Sequence, residues 1–183
     1  MLDLDIVYEP EAEEIEAHAI AFAQMMFAHS ELERRVGDLQ DVIVHQRGFG
    51  ERPSNQWGAR KRPGLMAKLI SEHLGDSVPE AAAIKKLLRA AIAPCDQRNL
   101  LAHGHWWCFN RMTGQITVRS GALFKGDHPT QVEYTAAHIA AITENFKDLE
   151  VELYKLHHDI EERHPLDDDS LSQISDPEAP ESS

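Results

Sequence analysis

The chain has 183 residues, 42% hydrophobic and 27% charged, with a formal net charge of −13. That length supports one domain with its own core, and the acidity argues against general attraction to nucleic acid or anionic membranes. No run approaches the roughly 18–20 apolar residues that a membrane span needs, so no membrane partner is expected. The opening MLDLDIVYEPEAEEIE lacks the basic start and apolar middle of a secretory signal. Two cysteines, Cys95 and Cys108, make no disulfide framework, and free thiols fit a cytoplasmic location.

The first predicted helix runs from about Pro10 to Gln46. Ile15, Phe22, Met25, Leu32, Val36, Leu39 and Ile43 recur at steps that fit an a/d stripe. His18 and His29 fall on that stripe and read as core or interface histidines. Pro10 suits a first turn, and Glu11, Glu13 and Glu14 complement the positive helix start. A basic loop, 47–62, follows, with Arg47, Arg52, Arg60, Lys61 and Arg62 against Glu51 alone. It is either a solvated loop or a local RNA-binding patch through Arg60, Lys61 and Arg62. A connection this long points to function or mobility. A short helix is expected over 63–74, ended by Gly75.

The next helix opens with SVPE, where Ser77 and Glu80 have capping-box spacing and Pro79 is tolerated in the first turn. Ile84, Leu87, Leu88, Ala91 and Ile92 have helical spacing, and Pro94 should kink or restart the helix. WWCFN and QITVR flank a Gly-containing turn and predict a β-hairpin over 106–119. The last helix is expected to start near Thr130, with Thr130 and Glu133 at capping-box spacing. Its Ile139, Ile142, Phe146, Leu149, Leu153, Leu156 and Ile160 keep a 3-4 alternation. The first and last helices therefore pack on each other, or face a second copy of the chain. Residues 164–183 carry six acids and no Lys or Arg, six of the thirteen net negative charges, and read as a disordered tail. The expected fold class is all-α: a bundle of about four to five helices in one domain, 1–163, with a small β-hairpin insertion.

The chemistry concentrates in CDQRNLLAHGHWW, 95–107. At 100° per residue, Asp96, Asn99 and His103 lie on one helical face, while Arg98 lies about 140° from His103. Gly104 is placed to end the helix. An imidazole beside a guanidinium suits phosphodiester cleavage. Histidine moves a proton near neutral pH, and arginine matches phosphate oxygens with a fixed fork of donors. Asn99 would orient the histidine or the phosphate. Such a scheme calls for no cofactor, and no metal set is visible in the sequence, since His103 and His105 lack neighbouring carboxylates or thiols. The competing reading is structural: Arg98 pairs with Asp96 or caps carbonyls at the helix end. Trp57, Trp106 and Trp107 either stack on bases or pack over the core.

Arg98-Asn99-Leu100-Leu101-Ala102-His103 resembles the signature of HEPN domains: Arg, a polar residue, a few more, then His near a helix end. RNLLAHGHWW is similar to bacterial HEPN-like proteins in which Gly and an aromatic follow the His. The resemblance implies a helical bundle that forms a homodimer and brings two Arg/His sets into one cleft. It also implies a metal-independent endoribonuclease of the toxin–antitoxin or antiviral kind, acting on RNA and held by a protein partner or antitoxin. The alternative within the family is a catalytically inactive interaction or regulatory protein. Arg98, His103 and Asn99 carry the motif. Asp96 and His105 are supporting candidates, and His105 also meets the spacing for the catalytic histidine.

Overall fold

The computed structural model describes residues 11–45, 79–120 and 131–163. The expected basic loop at 47–62, with Arg60, Lys61 and Arg62, lies outside these residues. So do the expected helix at 63–74, the cap residue Ser77 and the tail at 164–183. The described chain is mostly helical with one small sheet: α1 (Ala12–His45), α2 (Pro79–Ala90), α3 (Ile92–His103), β1 (His105–Asn110), β2 (Gln115–Arg119), β3 (Gln131–Tyr134) and α4 (Ala136–Arg163).

The two heptad helices meet. α1 has 34 residues and α4 has 28, roughly 51 and 42 Å of helix at 1.5 Å per residue. Met25, Leu32, Leu39 and Ile43 from α1 and Ile139, Phe146, Leu153 and Ile160 from α4 are buried in one core. Each fully buried side chain of this size contributes about 1.5–3 kcal/mol. Contacts advance together along both helices: His29 meets Phe146, while Arg35 meets Glu150 and Tyr154. The two helices therefore run parallel.

Parallel neighbours need a return path, and α2 and α3 supply it. Glu80, at the start of α2, bonds to Arg163 at the end of α4. Arg98, late in α3, meets His29 of α1. The return leg is interrupted at Ala91, as Pro94 leads one to expect. A proline has no N–H to offer, and its ring crowds the carbonyl four residues back. The helix restarts at Ile92, so Pro94 falls in the first turn of α3, where N–H groups have no helical partner anyway.

β1, β2 and β3 form an antiparallel sheet in that order. The expected hairpin is present at β1 and β2. Its turn is held by Asn110, whose Oδ1 accepts from the Met112 and Thr113 N–H groups, and by Gly114 at φ 62°. The sequence pattern predicts a helix from near Thr130, but Gln131–Tyr134 is instead a third strand and the last helix begins at Ala136. Glu133 stands opposite Thr117 in the sheet, so its spacing from Thr130 does not cap α4. Val132 and Tyr134 alternate with exposed Gln131 and Glu133, and both pack on the core. Period-two burial of those two side chains wins over the capping pattern.

α4 starts instead behind Thr135. The His138 N–H donates to Thr135 Oγ1 at 3.1 Å, and the Thr135 N–H donates to His138 Nδ1 at 3.4 Å. This is a capping box with histidine in the place of glutamate. The sheet's inner face, Trp106, Phe109, Ile116, Val118, Val132 and Tyr134, covers the N-terminal half of α1, where Phe22 meets Trp106 and His18 meets Phe109. No helix among the described residues is long and apolar enough to cross a membrane.

Candidate functional site

α3 keeps regular helical bonding to its last turn, where the Gly104 N–H donates to the Leu100 carbonyl at 2.8 Å. Gly104 ends the helix as expected, but not by a left-handed cap, since its φ is −77°. Glycine is required there for space. A Cβ would lie 2.3 Å from the Leu100 carbonyl oxygen, 2.6 Å from Val118 Cγ1 and 3.0 Å from the Arg119 carbonyl oxygen. The end of α3 is thus pressed against β2. Trp106 fastens the same junction by donating its Nε1–H to the Leu101 carbonyl at 2.9 Å.

Because α3 is undistorted, Arg98 and His103 leave it in different directions. Arg98 is half-buried and points toward α1. Its Nη1 donates to Asn99 Oδ1 at 2.8 Å, and its Nη2 lies 3.1 Å from His29 Nδ1. A guanidinium only donates, so His29 Nδ1 accepts and carries no proton in this contact. His29 Nδ1 also lies 3.8 Å from Glu33 Oε2, beyond hydrogen-bond range, and the shorter Arg98 contact sets the tautomer. His29 is itself buried, edge-on to Phe146 at 5.2 Å. Arg98 Nε is buried with no partner among the described residues.

His103 is exposed at the end of α3, and His105 is exposed at the start of β1. Asp96 is half-buried earlier on α3. The structure therefore brings Arg98 and Asn99 together and leaves His103 apart from them within one chain. The stripe predicts His29 to be a core or interface histidine. It is buried in the core, and it also holds the arginine. Its place on the a/d stripe shows that it faces inward, but nothing in the sequence says that α3 lies opposite.

Comparison with protein-family models, curated proteins and solved structures finds no match to this chain. Among the described residues there is no group of three or more His, Cys, Asp or Glu side chains arranged to hold a metal ion. Neither cysteine is in a disulfide; Cys95 is buried and Cys108 half-buried.

Proposed function

We propose that the chain is a metal-independent endoribonuclease of the HEPN type, with a composite site formed by two copies. The observation that carries this reading is the state of Arg98. Among the described residues its contacts are two uncharged acceptors, Asn99 and His29. They engage two of the five N–H donors of a guanidinium, so a half-buried positive charge keeps donors for an anion. Phosphate is the anion that such a fork fits best.

In the proposed reaction His103 accepts the proton of a ribose 2′-hydroxyl. The 2′-oxygen then attacks the neighbouring phosphorus, and Arg98 stabilises the charge that develops on the phosphoryl oxygens. The bond to the 5′-oxygen breaks, and that oxygen takes a proton from an imidazolium. The products are a 2′,3′-cyclic phosphate and a 5′-hydroxyl. Asn99 orients the arginine. Since Arg98 and His103 diverge on one copy of α3, the two roles come from facing copies, as a dimer axis allows. Arg60, Lys61 and Arg62 would bind the RNA backbone, and Asp96 and His105 would support the site. A toxin or antiviral role, with an antitoxin or other protein partner, follows from the family resemblance.

The test is incubation of purified protein with RNA in excess chelator. Cleavage with cyclic-phosphate ends is expected, falling roughly 10²–10⁴-fold in His103→Ala with an unchanged melting temperature. His105→Ala, run beside it, assigns the histidine. Equal cleavage by wild type and His103→Ala sinks the reading, as does an activity that the chelator abolishes. One observation favours the inactive alternative, an interaction protein: Arg98 ties α3 to α1 through His29. On that reading the wild type cleaves nothing, and Arg98→Ala shows itself only as lost stability.

A further inference from the structure

The outer face of the sheet, next to the end of α3, carries an aromatic and cationic pair, Trp107 and Arg119, that the proposed chemistry does not use, with the supporting candidate His105 at its edge. β1 has a bulge between Trp106 and Cys108. Trp106 stands opposite Val118 and Cys108 opposite Thr117, so Trp107 has no partner on β2. The extra residue re-aims side chains, which is what bulges beside functional sites do. Trp106 and Phe109, three apart, both turn inward onto the core, while Trp107 is left outward and 38% exposed. The bulge also moves the pairing by one residue and sets His105 opposite Arg119.

Three side chains meet as a result. The Arg119 guanidinium lies 4.2 Å from the centre of the Trp107 ring. The His105 ring stands edge-on to Trp107 at 5.6 Å. Arg119 Nε donates to Gln131 Oε1 at 3.2 Å, which holds the guanidinium in place over the ring. The cluster is contiguous with the proposed catalytic histidine. Only Gly104 separates His103 from His105, and Gly104 packs directly on the Arg119 backbone.

The geometry points to a nucleobase-stacking platform for single-stranded RNA, formed by Trp107 and Arg119 with His105 at its edge. Its function is to seat the base beside the phosphate presented to His103. An exposed indole with a guanidinium on its face offers two planar surfaces and a positive charge, the combination that holds an unpaired base and its phosphate. A paired base cannot use it, because its faces are covered by its neighbours in the duplex. The charge also suits the ligand: Arg119 supplies a local cation in a chain whose net charge is −13. The platform deepens the ribonuclease reading and rests on it for its location, but its binding can be measured without cleavage.

The test uses the full chain carrying His103→Ala, in chelator. Its affinity for a fluorescein-labelled, mixed-sequence single-stranded oligoribonucleotide is followed by anisotropy. Trp107→Ala is expected to weaken binding about tenfold or more, and Trp107→Phe to keep most of it. Arg119→Ala removes the stacked cation without touching the indole, and is expected to weaken binding several-fold. It serves as the readout if Trp107→Ala does not fold. The same oligonucleotide annealed to its complement should bind more weakly. Undiminished binding in both Trp107→Ala and Arg119→Ala overturns the platform, as does equal affinity for the duplex or no binding of the single strand. If wild type fails to cleave while Trp107-dependent binding holds, the platform stands and the catalytic reading falls. If wild type cleaves with a KM that Trp107→Ala and Arg119→Ala leave unchanged, the catalytic reading stands and the platform falls.

Discussion

Two buried polar residues show how single side chains carry cost and pH dependence. Both ring nitrogens of His18 are buried with no partner among the described residues, and its ring lies edge-on to Phe109 at 5.7 Å. A buried polar group without partners costs about 1–3 kcal/mol. His18→Leu, which keeps the bulk and drops the nitrogens, should therefore raise stability by about 1–2 kcal/mol in urea denaturation. A loss of stability would mean that the ring serves more than packing. Tyr134 is buried on the inner face of β3, and burial raises its phenol above the ordinary value, which lies near 10. The folded state holds this proton more tightly than the unfolded chain does. The contribution is intact below about pH 10 and is lost as the pH rises through the raised value. Tyr134→Phe should flatten the alkaline limb of stability against pH, followed by circular dichroism, while leaving neutral pH nearly unchanged.

Between elements, the junction of α3 with β2 decides where His103 sits. Gly104 permits it because no Cβ intervenes between Leu100, Val118 and Arg119. Gly104→Ala forces backbone and side chain apart, and overpacking of this kind costs about 1–3 kcal/mol. The expected result is a lower melting temperature and, on the proposed ribonuclease reading, reduced RNA cleavage, since both His103 and Trp107 lie next to this contact. Unchanged melting would show that the helix end has room to shift. Gly104 was legible as a stop signal, yet the reason for glycine was not. The sequence pattern suggests a left-handed cap, whereas the actual constraint is space, set by the Leu100 carbonyl and by Val118 and Arg119 of a strand distant in sequence. The start of α4 has the same lesson. Thr130 and Glu133 have the right spacing for a cap, but Thr135 and His138 make it, because Val132 and Tyr134 are claimed by the sheet.

Across the whole molecule, one clasp joins the start of the return leg to the far end of the bundle. Glu80 is 3% exposed and bonds to Arg163, whose side chain is 59% exposed. Breaking a fully buried ion pair costs about 3–5 kcal/mol. The exposure of Arg163 screens this one, so Arg163→Ala should cost about 1–2 kcal/mol. Glu80→Gln should cost less than Arg163→Ala, because the charge it leaves unpaired is the solvent-exposed guanidinium and not the buried carboxylate; thermal melts of the two variants decide this. Composition and periodicity determined most of the architecture: the long first and last helices, their buried stripes, the interruption near Pro94 and the hairpin that follows. These are local patterns, and burial along one stripe or one strand face is enough to enforce them. The placement of residues 96, 98, 99 and 103 on one helix was also readable, with Arg98 turned from His103 as helical geometry requires. Only the tertiary structure decided that His29 holds Arg98, that Trp107 bulges outward and that Arg119 lies over its ring. Each of these depends on which distant segments meet and on a one-residue change of register, and neither quantity leaves a trace in local spacing.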